Sequence, residues 1–146
     1  MRFTIRKVDI ADLLVQKAIH SLLDDTFSPG EWDAAPRFTT GYWWVAYCDG
    51  EAAAFAGLVP SSRVPNAGYL KASGVLPKFR GHGLQKRLIR KRLDHARSLG
   101  WTTVFTETIN HNAPSGNSLI SCGFRMFNPK HPWGSSYAVY WKKELR

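Results

Sequence analysis

Polar and apolar side chains alternate through FTIRKV, residues 3–8, which predicts a strand with one buried face. The period then changes. In VDIADLLVQKAIHSLLDD, Ile10, Leu13, Leu14, Ile19, Leu22 and Leu23 are expected on one helical face, with Asp9 as the N-cap. From Thr26 to Thr40, Pro29, Gly30 and Pro36 leave no period, so a loop or short helix beside a substrate site is expected. GYWWVAYCDGEAAAFAGLVP, residues 41–60, holds two apolar runs around Asp49-Gly50, a dipeptide suited to a tight hairpin, and predicts two antiparallel strands. A loop with Pro60, Ser61, Ser62, Pro65 and Asn66 leads to a further strand, GYLKASGVL at 68–76, where Gly74 suggests a bulge or a close backbone approach.

Helical spacing returns at Leu84, Leu88, Ile89, Leu93, Ala96 and Leu99, and Gly100 ends that helix. Lys86, Arg87, Arg90, Lys91, Arg92 and Arg97 fill its other faces. TTVFTETI, residues 102–109, is the next strand, Asn117 to Cys122 reads as helical before Gly123, and FRMFN and YAVYWKK are the last two strands. The order is mixed α and β, antiparallel at first and strand-helix-strand in the middle, with no repeat or linker.

The 146 residues, 44% hydrophobic and 21% charged, suit one folded domain with a sizeable core. A net charge of +9 favours polyanionic partners, among them nucleotides, nucleic acids and acidic lipid. A solvated outer face is nevertheless the preferred reading of the basic helix, ahead of nucleic-acid binding. Cys48 and Cys122 lack CxxC or Cys/His spacing and are expected as buried free thiols; the five histidines show no HxH or HExxH, so no metal is expected. MRFTIRKVDIADLL has no signal-peptide pattern, and no apolar run approaches the roughly 20 residues of a membrane span. A cytoplasmic protein without membrane association is expected, as a monomer or homodimer.

RGHGLQK, residues 80–86, lies where a strand gives way to the basic helix. The first N–H groups of a helix lack intrahelical partners and sit at the positive end of its dipole, so a phosphate there accepts several hydrogen bonds. Glycines at 81 and 83 remove side chains that would hold a phosphate away. The stretch lacks the GxxxxGK[ST] of a triphosphate loop, and the third glycine of a dinucleotide GxGxxG would fall at Lys86. On its own, a plain turn explains it slightly better than a ligand site does.

Taken in order, Val75-Leu76-Pro77, Arg80-Gly81-His82-Gly83-Leu84, the helix and strand, Asn112, Ser115, Ser118-Leu119 and Cys122-Gly123-Phe124 resemble the GNAT-type N-acetyltransferase superfamily over residues 43 to 127. Gln85 stands where that family's loop carries glycine or alanine. The resemblance implies one α/β (α+β) GNAT-like domain over residues 1–146, with a mixed, mostly antiparallel sheet of six to seven strands flanked by helices. It also implies acetyl-CoA as cofactor, an amine as acceptor and direct attack in a ternary complex.

By the same resemblance, the pantetheine arm would pair with backbone groups of Gly74, Val75 and Leu76. The pyrophosphate would meet the cradle made of Arg80, Gly81, His82, Gly83, Leu84, Gln85 and Lys86. Asn112, with Ser115 and Asn117 after it, would face the cofactor from the other side. The reaction needs a group that removes the amine's proton, and Glu107 near the end of its strand is the candidate base, with Glu31 and Asp33 as weaker candidates for amine binding. Many relatives place a tyrosine where this chain has Leu119, so Ser118, Ser121, Tyr137 or Tyr140 would have to protonate the thiolate, or it leaves unassisted. Trp43, Trp44 and the aromatics of PWGSSYAVYW are expected mostly in the core, with a wall of the acceptor pocket as the alternative for the His131 to Gly134 loop.

Overall fold

The computed structural model describes residues 1–27 and 38–146. The candidates Glu31 and Asp33 lie outside the described residues. The elements follow as β1 (Phe3–Val8), α1 (Leu13–Thr26), β2 (Tyr42–Cys48), β3 (Glu51–Pro60), β4 (Ala67–Val75), α2 (Leu84–Ser98), β5 (Thr103–Ile109), α3 (Ala113–Ser121), β6 (Arg125–Phe127) and β7 (Ala138–Glu144).

The strands form one seven-stranded sheet in the order β1-β2-β3-β4-β5-β7-β6. Every neighbouring pair is antiparallel except β4 with β5, which are joined by the α2 crossover. Asp49 and Gly50 take φ of 51° and 81°, the left-handed pair that a two-residue hairpin turn requires. On one face, α2 and α3 press Leu84, Leu88, Leu93 and Leu119 against Trp44, Ala54, Leu58, Val104 and Trp141. On the other, α1 packs Ile19, Leu22 and Leu23 against Trp43, Val45 and Phe55. Cys48 and Cys122 are buried and free, and no helix among the described residues is long and apolar enough to cross a membrane.

Four expectations need correction. The N-cap of α1 is Asp12, whose carboxylate accepts from Leu14 N, while Asp9 caps only the preceding turn through Ala11 N. Leu13 and Leu14 are 70% and 74% exposed, because at about 100° per residue they fall well to either side of the stripe set by Ile19, Leu22 and Leu23. Helix α3 begins at Ala113 rather than Asn117, capped by the Asn112 side chain accepting from Ser115 N, with Pro114 in the first turn where it costs no hydrogen bond. Arg92 does not belong to the solvated face of α2: it is 2% exposed and points into the protein.

Candidate active site

The parallel pairing of β4 with β5 covers only Ala67–Thr103, Gly68–Val104 and Tyr69–Phe105. Immediately beyond it the β3–β4 register moves from Leu58–Leu70 to Ala56–Ser73, so Lys71 and Ala72 stand opposite Gly57. A bulge of this kind bends its strand and sharpens the twist. Here it turns β4 away from β5 and opens the sheet. Thr106 Oγ1 donates to Leu70 O at 3.1 Å where the strands part. The resulting slot holds about 620 Å³ and passes through the sheet, since Ile89, Arg92 and Leu119 line it on the α2/α3 side and Phe27 and Phe38 on the other.

Backbone groups alternate along the freed part of β4. Leu76 N donates to Ala53 O at 2.9 Å, and the register continues through Val75–Ala54 and Gly74–Phe55. The polar groups of Gly74 therefore turn to β3 with the Leu76 N–H, while those of Val75 and Ser73 face away from β3. The Leu76 carbonyl accepts from Phe79 N at 2.9 Å, so of the three residues expected along the pantetheine arm only Val75 turns both its polar groups away from β3. The Val75 carbonyl accepts from Arg80 Nε at 3.0 Å, which leaves its N–H as the open donor there.

At the same end of the sheet, Pro77–Phe79 makes a 3-10 turn pinned by buried Phe79, whose ring meets Phe3 edge-on at 6.0 Å. Gly81 and Gly83 follow with φ of 84° and 77°, and a Cβ on either would meet nothing within 4 Å. The space in front of the backbone is open. Gly83 caps α2 with no side-chain hydrogen bond, and the first helical bond runs from Arg87 N to Gly83 O, so the amides of Leu84, Gln85 and Lys86 have no intrahelical partner.

Arg80 ties this loop to Val75 O and to Thr26 O, Arg87 reaches Phe3 O, and Lys78 pairs with Glu51. His82 is exposed and rests against Phe3. Gln85 lines the slot and reaches Ser73 Oγ at 3.4 Å, linking α2 to the open edge of β4.

Glu107 sits on β5 just past the last β4 pair and also lines the slot. Its Oε1 accepts from Tyr69 OH at 2.8 Å, and that hydroxyl accepts from Trp133 Nε1 at 3.3 Å. Trp133 meets Tyr140 edge to face with ring centres 4.5 Å apart, and the Arg63 guanidinium lies 4.8 Å from the Trp133 ring centre. Gly134 donates its N–H to Tyr140 OH at 2.8 Å, and a Cβ there would collide with Glu107 Oε2. Burial pushes the Tyr69 phenol well above its usual range, with Glu107 adding to the shift, so it stays a proton donor to the carboxylate.

Of the expected site residues, the slot collects Glu107, Gln85, Asn112, Ser115 and Ser118, with Leu119 beside them. It does not collect Tyr137, which is 65% exposed at the end of the β6–β7 loop, or Asn117, which faces solvent on α3. Tyr69, Lys71, Ser73, Arg92 and Thr106 line it without having been expected. For Arg92 a signal existed: it lies four residues from both Leu88 and Ala96, on the buried stripe of α2. Tyr69 carries no comparable mark, because its partner is 38 residues away.

The sheet thus opens between two parallel strands, with the bare α2 amides at its end and the Tyr69-bonded carboxylate of Glu107 inside the slot, in a mixed α/β fold. The sequence profile of the acetyltransferase (GNAT) family matches residues 9–124, and the chain belongs to that family. The ribosomal-protein-S18-alanine N-acetyltransferase from Escherichia coli is similar in fold, with a TM-score of 0.76 at 18% identity over 99% of this chain and 94% of that one. An acetyltransferase from Bacillus subtilis in complex with CoA gives 0.76 at 16% identity over 99% and 100%. An N-acetyltransferase from Staphylococcus aureus Mu50 gives 0.78 at 14% identity over the whole of both chains. No curated protein sequence matches the chain.

Proposed function

We propose that the protein transfers an acetyl group from acetyl-CoA to a primary amine of a small molecule or peptide, by direct attack with both reactants bound. The carrying observation is the slot itself, which is lined both by Gln85 from the bare-amide start of α2 and by the Tyr69-bonded carboxylate of Glu107. The residues fit the coenzyme: Gly81 and Gly83 leave open space before the unpartnered amides of Leu84, Gln85 and Lys86, and Lys86 and Arg87 add positive charge. The N–H of Val75 and the backbone of Ser73 present edge groups suited to the pantetheine amides. Asn112 and Ser115 close the opposite wall. When bound, acetyl-CoA supplies an acetyl group activated as a thioester.

Glu107 is the base. Its carboxylate takes the proton that the amine loses, directly or through one water, and Tyr69 fixes its direction. Trp133, Tyr140 and Phe127 pack together as an aromatic wall beside the Tyr69–Glu107 pair. Ser118 lines the slot beside Leu119, and we assign it a polar contact rather than the role of acid. Residues 1–146 act as one unit, because β1 and β7 lie outside the matched span yet belong to the same sheet.

The test combines thermal shift with thiol release. Acetyl-CoA should raise the melting temperature, and at least one amine in a panel of amino acids, polyamines, arylalkylamines and peptides should release free thiol. Stabilisation by acetyl-CoA with no thiol release from any amine would overturn the transferase reading and leave a coenzyme-binding protein.

A further inference from the structure

Arg92 is a buried cation without an anion. Its guanidinium donates to two neutral carbonyls, Nε to Leu88 O and Nη1 to Gly57 O, each at 3.2 Å. No ion pair involves it among the described residues. A charge so placed is costly unless something negative compensates it. The side chain lines the slot together with Leu70, Thr106 and Leu119, where β4 and β5 separate.

Apart from the Ser118 hydroxyl and the Lys71 ammonium, which also line the slot, the groups nearest Arg92 offer no ready proton to a leaving group. Leu119 is hydrocarbon, Thr106 Oγ1 is engaged with Leu70 O, and the Tyr69 phenol is bonded to Glu107 and raised by burial. We infer that Arg92 is the electrostatic partner of the departing sulfur, which leaves as an anion held by a buried cation instead of being protonated as it goes. This rests on the acetyl-CoA reading above.

The accounting is complete. The amine nitrogen forms the C–N bond to the acetyl carbon, the C–S bond breaks, and its electron pair goes to sulfur. The amine proton goes to Glu107, and the sulfur takes a proton from solvent on release. The other groups facing this region are the Gly57 carbonyl from β3, Tyr69 and Lys71 from β4, Glu107 from β5 and the Cys122 thiol from α3. Burial pushes the Arg92 guanidinium down to about 9, so it carries its charge at neutral pH and gains from an anion beside it.

The experiment is an ultraviolet titration of the CoA thiol bound to the full chain, between about pH 6.5 and 8.5, below the discharge of Arg92, with the desulfo-CoA complex as blank to remove Tyr69 and Cys122. In the wild type the bound thiol should ionise at least about one pH unit below free CoA, a tenfold effect. Arg92→Met, similar in length and uncharged, should abolish the shift, lower kcat about tenfold and leave both KM values within about threefold. Its melting temperature should hold or rise, since a buried charge is lost. Arg92→Lys should keep part of the shift, and it carries the comparison should Arg92→Met not fold. A wild-type bound thiol that titrates at or above the free value overturns the inference, as does an Arg92→Met protein with the wild-type shift. Failure of CoA to bind the wild type would instead take down the acetyl-CoA reading.

Discussion

Tyr69→Phe isolates the hydrogen bond that aims Glu107. The substitution keeps the ring and removes one oxygen, and with it the 2.8 Å bond to Glu107 Oε1 and the acceptor for Trp133 Nε1 at 3.3 Å. A hydrogen bond to a charged group contributes about 1.5–3 kcal/mol. Expressed wholly in the transition state, that corresponds to a fall in kcat of roughly ten- to a hundredfold. Expressed in folding, it lowers the melting temperature by about 3–10 °C for a chain of this size. Acetyl-CoA affinity should not change, because the cradle at Gly81–Lys86 belongs to a different element from Tyr69 and shares no bond with it. The assay is thiol release at saturating acetyl-CoA with the best acceptor of the panel, alongside calorimetric titration of the coenzyme. A kcat within twofold of wild type would refute the view that Tyr69 positions the base.

Glu107→Gln should lower kcat by about two orders of magnitude or more, as expected for removal of a general base, with coenzyme affinity unchanged; an unaltered rate would remove Glu107 from the reaction. Gly134→Ala places a methyl group against the Glu107 carboxylate and within 2.9 Å of Ala138 Cβ, so about 1–3 kcal/mol of overpacking and a matching loss of kcat should appear together in melting and rate measurements. Gly83→Glu puts a side chain and a negative charge before the bare amides at a backbone φ of 77°, and should erase the thermal shift given by acetyl-CoA. His95 packs against Tyr42 and Trp44, and burial, with Lys7 nearby, depresses its pKa. The unfolded chain therefore takes up this proton first: stability is full above about pH 6.5 and falls as pH drops through the lower folded value. Melting temperature measured against pH should decline below that point, and less steeply in His95→Gln.

What could be read from the sequence was local. The hairpin at Asp49-Gly50 and the β4–α2–β5 unit each rest on residues adjacent in the chain, and both were expected where they occur. Helix α3 was expected only from Asn117, whereas it starts four residues earlier with Pro114 in a first turn that tolerates it. Arg92 was assigned to solvent by its polarity, while its four-residue spacing from Leu88 and Ala96 argued for the core. The clamp on Glu107 brings together β4, β5 and the β6–β7 loop, from Tyr69 to Trp133 and Gly134. No short window of sequence contains it. The bulge at Lys71-Ala72 is likewise invisible without the partner strand, since only the β3 register shows that two residues oppose one.

The topology itself brings the bare α2 amides and Glu107 together. In a strand-helix-strand unit the helix starts where the first strand ends, so the bare amides of α2 must sit at the C-terminal end of β4. Strand β5 runs parallel to β4, so its C-terminal half, with Glu107, points to that same end. An antiparallel β5 would have carried Glu107 to the opposite edge of the sheet. The three β4–β5 pairs at the other end hold the strands together, and the bulge beyond Tyr69 forces them apart where both groups need space. Arg92 Nη1 bonds the carbonyl of Gly57, the residue that faces the bulge from β3, so the cation in the slot is held by the same irregularity that opens it. A change that restored regular β3–β4 pairing would therefore close the slot and displace Arg92 at once, even with Glu107 and the glycine cradle intact.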